Sequence, residues 1–252
     1  MITQTFQAAD GFTLAYHDLG TGRPVVLAHG YMSTGPEAWV STGIADRLAA
    51  DDRRVIMPDF RGHGESARTR DPQAYPPDVL TRDAEALIAH LALSDYDLGG
   101  YSLGGRIVAR MLALGTKPRR AVVAGTGLEP IIHAAGRGER YRRILSNLGT
   151  FAPGSLEAQV EEHLVSSGAD PVALLHVLNT FVDTPLEAFA GIDVPTLVIA
   201  GDADIDRGSV ADLAAAIPGS RLRLVPGDHI TALTSSELGD EIAGFIGGEA
   251  AG

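Results

Sequence analysis

The amino-acid sequence predicts an α/β fold: a mostly parallel, eight-stranded sheet with helices on both faces and a helical insertion between its late strands. Two patterns point there. Short continuous apolar runs alternate with stretches of helical spacing, the signature of strands covered on both sides. From about Thr126 to Ile192 the strand signals stop and only helix and loop patterns remain. The 252 residues and the 45% hydrophobic content allow one large core with such an insertion. The chain is therefore expected to divide into a first core part over 1–125, a helical cap over 126–192 and a second core part over 193–252.

The elements follow in order. Thr3–Gln7 and Thr13–Asp18 alternate apolar and polar residues around Gly11, which predicts an antiparallel hairpin. Pro24–Ala28 and Arg54–Pro58 read as buried strands. Pro36–Ala50 between them has helical spacing, with Trp39, Ile44 and Leu48 near one face. A helix is expected over Asp78–Leu93, then a short strand at Leu98–Gly100, then a helix over Leu103–Leu114 closed by Gly115. Ala121–Ala124, Thr196–Ala200 and Leu222–Val225 complete the strands. Helices over Val210–Ile217 and Glu237–Ile246 complete the core. In the cap, Arg137, Arg140, Arg142 and Arg143 read as a solvated helix face.

Bulk chemistry narrows the partners. The formal charge of −12 repels phosphate backbones and anionic membranes. No cysteine is present, which excludes disulfides, thiolate metal sites and a thiol nucleophile. The start, Met1-Ile2-Thr3-Gln4-Thr5-Phe6, lacks the basic and apolar regions of a signal peptide. No run reaches the roughly 20 apolar residues of a bilayer span. The expectation is a cytoplasmic protein that acts on a small molecule, with no nucleic-acid or membrane partner.

The chemistry concentrates in three stretches. Gly100-Tyr101-Ser102-Leu103-Gly104-Gly105 matches G-x-S-x-G between a strand and a helix. A serine hydroxyl is a weak nucleophile, so it must be exposed and presented to a base. A tight strand-to-helix turn does this, with glycines where neighbouring backbone crowds. The run to Ala28 ends in His29-Gly30-Tyr31. An acyl-transfer site needs two donors for a developing oxyanion. The backbone N–H groups of Leu103 and Tyr31 are the candidates, and His29 reads as a loop organiser. Asp59-Phe60-Arg61-Gly62-His63-Gly64-Glu65-Ser66 reads as a tightly bonded turn rather than catalytic machinery.

Together, His29-Gly30, Asp59-x-Arg61-Gly62-His63-Gly64-x-Ser66 and Gly100-x-Ser102-x-Gly104-Gly105 resemble the α/β-hydrolase superfamily, in particular its lipase, esterase and haloperoxidase-like members. The resemblance spans nearly the whole chain outside the cap. It implies an acid after a late strand and a histidine after the last one. Thr196–Ala200 is followed by Gly201-Asp202-Ala203-Asp204, and Leu222–Val225 by Pro226-Gly227-Asp228-His229. The G-x-x-D spacing selects Asp204 as the acid, with Asp202 as rival and Asp206 third. His229 is the implied general base, with the acid fixing its tautomer. Its loop departs from the family's common Gly-x-Gly-His form by being shorter and placing Asp228 before the histidine.

The resemblance implies an acyl-enzyme on Ser102 and needs no metal or organic cofactor. The serine argues against epoxide hydrolases and haloalkane dehalogenases, which use an aspartate nucleophile. Carbon–carbon bond hydrolases commonly have Asn beside the nucleophile and Trp after the histidine, where this chain has Tyr101 and Ile230. Cofactor-free haloperoxidases share the triad. The expected activity is hydrolysis of carboxylic esters with small or medium acyl chains. A non-catalytic small-molecule receptor on the same fold is the reading from a different class.

Overall fold

The computed structural model describes residues 1–204 and 209–248. Eight strands form one sheet: β1 (Ile2–Gln7), β2 (Thr13–Leu19), β3 (Arg23–Ala28), β4 (Arg53–Pro58), β5 (Asp97–Tyr101), β6 (Ala121–Ala124), β7 (Thr196–Gly201) and β8 (Arg221–Val225). Their spatial order is β1-β2-β4-β3-β5-β6-β7-β8. β1 and β2 form the predicted hairpin, with Gly11 at φ 83° in its turn. β2 pairs antiparallel with both neighbours, and every pairing from β4 to β8 is parallel.

Ten α-helices surround the sheet among the described residues: α1 (Gly35–Trp39), α2 (Ile44–Ala50), α3 (Val79–His90), α4 (Leu103–Ala113), α5 (Glu129–Ile132), α6 (Glu139–Leu145), α7 (Leu156–Ser167), α8 (Pro171–Val177), α9 (Val210–Ala216) and α10 (Ser236–Gly247). Strand side chains alternate between the two faces. Val26, Leu98, Val123 and Val198 pack with Leu80, Leu87, Val108, Leu112 and Leu213 from α3, α4 and α9. Val25, Leu27, Val122, Leu197 and Ile199 pack with Trp39, Ile44, Leu48, Ile242 and Phe245 from α1, α2 and α10. Each such aliphatic side chain contributes about 1.5–3 kcal/mol on burial.

The stretch Pro36–Ala50, expected to be helical throughout, is instead two helices. Thr34 caps α1 by accepting from the Glu37 N–H at 3.2 Å. The Thr42 hydroxyl then donates to the carbonyls of Ala38 and Trp39, diverting acceptors that a continuing helix would use. Gly43 at φ 77° turns the chain before α2 begins. Both halves still aim Trp39, Ile44 and Leu48 into one cluster, so the periodicity was right and the continuity was not.

Between β6 and β7 lie α5 to α8 and two 3-10 turns, Leu178–Thr180 and Leu186–Gly191. Leu145, Leu164 and Leu174 from α6, α7 and α8 form a small core that also takes in Met32 from the loop after β3. Arg137, Arg140 and Arg143 are exposed. Arg142 departs from a purely solvated role, since it donates to the carbonyls of Arg137 and Leu178 and to Asn179 Oδ1. Among the described residues no helix is long and apolar enough to cross a membrane.

The strand order positions the site. β3 lies between β4 and β5, so the chain leaves β3 toward one side and later returns on the other. A crevice opens at such a reversal, beyond the carboxyl ends of the strands. The loops after β3 and β5 meet there.

Candidate active site

Ser102 sits between β5 and α4 with φ 56° and ψ −111°. This conformation is sparsely populated for a residue with a Cβ and costs about 1–3 kcal/mol. It is held by the Ser102 N–H donating to the Ala124 carbonyl at 2.9 Å. The flanking glycines are required by backbone proximity. A Cβ at Gly100 would strike the Gly104 backbone, and one at Gly104 would strike the Ala28 carbonyl at the end of β3. The second glycine therefore serves the packing of α4 on β3 as well as the turn.

His229 reaches the serine from the loop after β8. Its Nε2 lies 3.0 Å from Ser102 Oγ, and its Nδ1 lies 2.7 Å from Asp204 Oδ2. A carboxylate only accepts, so Nδ1 carries the proton and Nε2 faces the hydroxyl as an acceptor. Asp204 is 2% exposed. Burial shields this hydrogen bond from water. The rival Asp202 points elsewhere: its Oδ1 accepts from the Gly227 N–H at 3.0 Å and ties the two loops together. Asp206 lies outside the described residues.

The short histidine loop is organised by Asp228. Its Oδ1 accepts from the N–H groups of Ile230 and Thr231 and from the Thr231 hydroxyl. These bonds hold its carboxyl below the usual range. Asp228 thereby builds the turn that presents the histidine. Tyr101 adds a second hold. Its hydroxyl donates to the His229 carbonyl at 2.7 Å, and the two rings lie 5.3 Å apart. Sequence reading missed this role of Tyr101, because nothing local links it to a residue so distant in the chain.

The predicted amide donors flank the serine. Leu103 is the first residue of α4, where the N–H has no intrahelical partner. Gly30 lies against Ser102, since a Cβ there would come 3.6 Å from Ser102 Cβ. Tyr31 follows, and its N–H has no partner among the described residues. Neighbouring groups fix this loop. Met32 has φ 63°, and its N–H donates to His63 Nε2 at 3.2 Å. The Tyr31 hydroxyl donates to the Leu174 carbonyl at 2.8 Å, and His163 Nε2 donates to the Met32 carbonyl at 2.9 Å. The inserted helices thus brace the candidate oxyanion loop, a non-local role that the sequence did not reveal.

His29 and the turn after β4 are structural, as expected. His29 is fully buried, donates from Nδ1 to the Gly30 carbonyl and accepts the Phe60 N–H at Nε2. Burial lowers its pKa and keeps it neutral. Burial and the adjacent His29 ring likewise lower His63 to about 3. Burial alone would raise Asp59, but its bonds to His17 and to the N–H groups of Glu65 and Gly35 bring it down to about 2. The Arg61 guanidinium joins the carboxylates of Asp10 and Asp83 and the Ala74 carbonyl.

The model of a family described as "Alpha/beta hydrolase family" matches residues 25–243. A non-heme haloperoxidase of Rhodococcus erythropolis is 29% identical, over 87% of this chain and 90% of that protein. The crystal structure of a bromoperoxidase from Bacillus anthracis is 27% identical, covers 95% of this chain and 98% of its own, and superposes with a TM-score of 0.72. An esterase from Exiguobacterium antarcticum shares the fold with a TM-score of 0.78 at 20% identity, covering 97% of this chain and 99% of its own. Strand order, turn geometry and the family match agree: this chain belongs to the alpha/beta hydrolase family.

Proposed function

We propose that this protein is a serine esterase that cleaves carboxylic esters of small or medium acyl chains. The continuous relay from Asp204 through His229 to Ser102 is the observation that carries the reading. In the first half-reaction Ser102 Oγ attacks the ester carbonyl as its proton passes to His229 Nε2. Asp204 steadies the resulting imidazolium. The N–H groups of Tyr31 and Leu103 receive the negative charge that forms on the carbonyl oxygen. Collapse of the tetrahedral intermediate expels the alkoxide, which takes the proton from His229. Water, deprotonated by the same histidine, then attacks the acyl-enzyme and releases the acid. The substrate is a small molecule and the residues of the chain suffice for the cycle.

The likeness to named haloperoxidases favours a second reading of the same site. Hydrogen peroxide in place of water would attack the acyl-enzyme and release a peracid, which then oxidises halide. A panel of nitrophenyl esters from acetate upward tests the first reading, with the Ser102→Ala protein as blank. Parallel arms supply acetate, peroxide and bromide, or a ring-cleavage dienoate. Ester turnover abolished by Ser102→Ala is the expected result. Turnover of the dienoate alone would overturn the esterase reading.

A further inference from the structure

α4 carries two arginines that differ in one respect. Arg110 is saturated: it pairs with both oxygens of Asp78 and donates to the Asp183 carbonyl and the Thr184 hydroxyl. The guanidinium of Arg106, one turn nearer Ser102, has no hydrogen bond or ion pair among the described residues. Its one described partner is the Phe181 ring, 4.1 Å from Cζ. That contact occupies a face of the guanidinium and leaves the N–H groups, which lie in its plane, free to donate.

Arg106 lines a pocket, open to solvent, between α4, α3 and the helices that lie between β6 and β7. The lining starts at Leu103, immediately after Ser102, and continues through Arg106, Ile107, Ile131 and Phe181. Helical side chains lean toward the N-terminus, which aims the guanidinium back toward the serine end. Thr81 also lines the pocket, and its hydroxyl is buried with no hydrogen-bond partner among the described residues. The one carboxylate among the described lining residues, Asp78, is already paired with Arg110. Burial, then the nearby Arg137 charge, lower Arg106 to about 10, so it stays charged at neutral pH. The buried Thr81 hydroxyl is costly to leave unpaired, and the Arg106 N–H groups beside it are open to donate, so a ligand that accepts from both would satisfy them together.

We propose that the natural substrate carries a carboxylate, which Arg106 and the Thr81 hydroxyl bind in this pocket while the ester carbonyl lies at Ser102. The assignment rests on the reading of Ser102 as nucleophile, and it narrows the substrate class to half-esters of dicarboxylic acids and similar anionic esters. On a chain with a formal charge of −12, it also explains how an anion would be drawn to the site.

The test compares the nitrophenyl monoester of glutaric acid with nitrophenyl valerate, near-isosteric but neutral. Wild type should show the lower KM for the anionic ester. Arg106→Gln should raise that KM by about 10- to 100-fold, leave kcat and the neutral ester little changed, and be partly rescued in Arg106→Lys. Equal losses on both esters, or no wild-type preference for the anion, would overturn the proposal. Calorimetric titration of glutarate into the Ser102→Ala protein separates this inference from the esterase reading. Binding that vanishes in Ser102→Ala/Arg106→Gln supports the subsite even if neither ester turns over. Absence of binding in Ser102→Ala overturns the subsite even if valerate is hydrolysed.

Discussion

Asp202 and Asp204 stand two positions apart on the same loop, yet they face different partners. Asp204 is buried against His229 Nδ1, whereas Asp202 holds the Gly227 N–H. Asp204→Asn puts an amide where a carboxylate should accept, favouring the wrong imidazole tautomer, and should lower kcat by about 10⁴-fold. Asp202→Asn keeps an oxygen acceptor and should cost less than about tenfold, since one neutral hydrogen bond contributes about 1 kcal/mol. Steady-state kinetics on one nitrophenyl ester checks the ranking, and the reverse order would identify the wrong carboxylate. At this scale Ser102 was legible because its motif is local, and His229 and Asp204 because of the resemblance and their places after late strands. Tyr101 was not legible as a brace, since its bond to His229 spans 128 positions of sequence.

At the scale of elements, the turn at Ser102 keeps its shape because α4 approaches β3 without a side chain between them. Gly104→Ala would drive a methyl into the Ala28 carbonyl, so α4 must shift away from the sheet. Its destabilisation should exceed the about 1 kcal/mol typical of a point substitution. Urea denaturation should show this, together with a fall in kcat as Ser102 leaves the relay. Unchanged stability would mean that the helix has room to move. Element positions were readable because strand period, glycine punctuation and helical spacing are all local signals. The break near Gly43 was harder to read, because both short helices bury the same apolar face and a continuous helix would show the same spacing. The support that Leu174 and His163 give to the loop at Tyr31 and Met32 comes from residues more than a hundred positions away.

For the whole molecule, the buried histidines couple folding to pH. Free histidine titrates near 6.5, whereas His63 is held at about 3 and His29 is also lowered. Below pH 6.5 the unfolded chain takes up protons that the folded chain refuses, so stability falls as pH drops from about 6.5 toward about 3. Each histidine contributes a slope of up to about 1.4 kcal/mol per pH unit. Asp59, held at about 2, acts at lower pH: its contribution is complete above about 4 and is lost as pH falls toward 2. Urea midpoints should therefore decline between pH 7 and 5. His63→Gln, which can still accept from Met32 N–H and donate to the Arg61 carbonyl, should flatten that decline. An identical slope in the variant would show that His63 is protonated in the fold. The sheet class and the strand-by-strand layout were visible in the sequence. The spatial order of the strands was not, because it depends on which side of β3 the returning chain packs.

The most direct measurement of the central claim is the intact mass of the folded protein after exposure to a fluorophosphonate, with peptide mapping of the adduct. One adduct on Ser102 in the wild type, strongly slowed in His229→Ala and absent in Ser102→Ala, is the predicted result. A folded wild-type protein that takes up no phosphonate, or takes it up equally without Ser102, would contradict it.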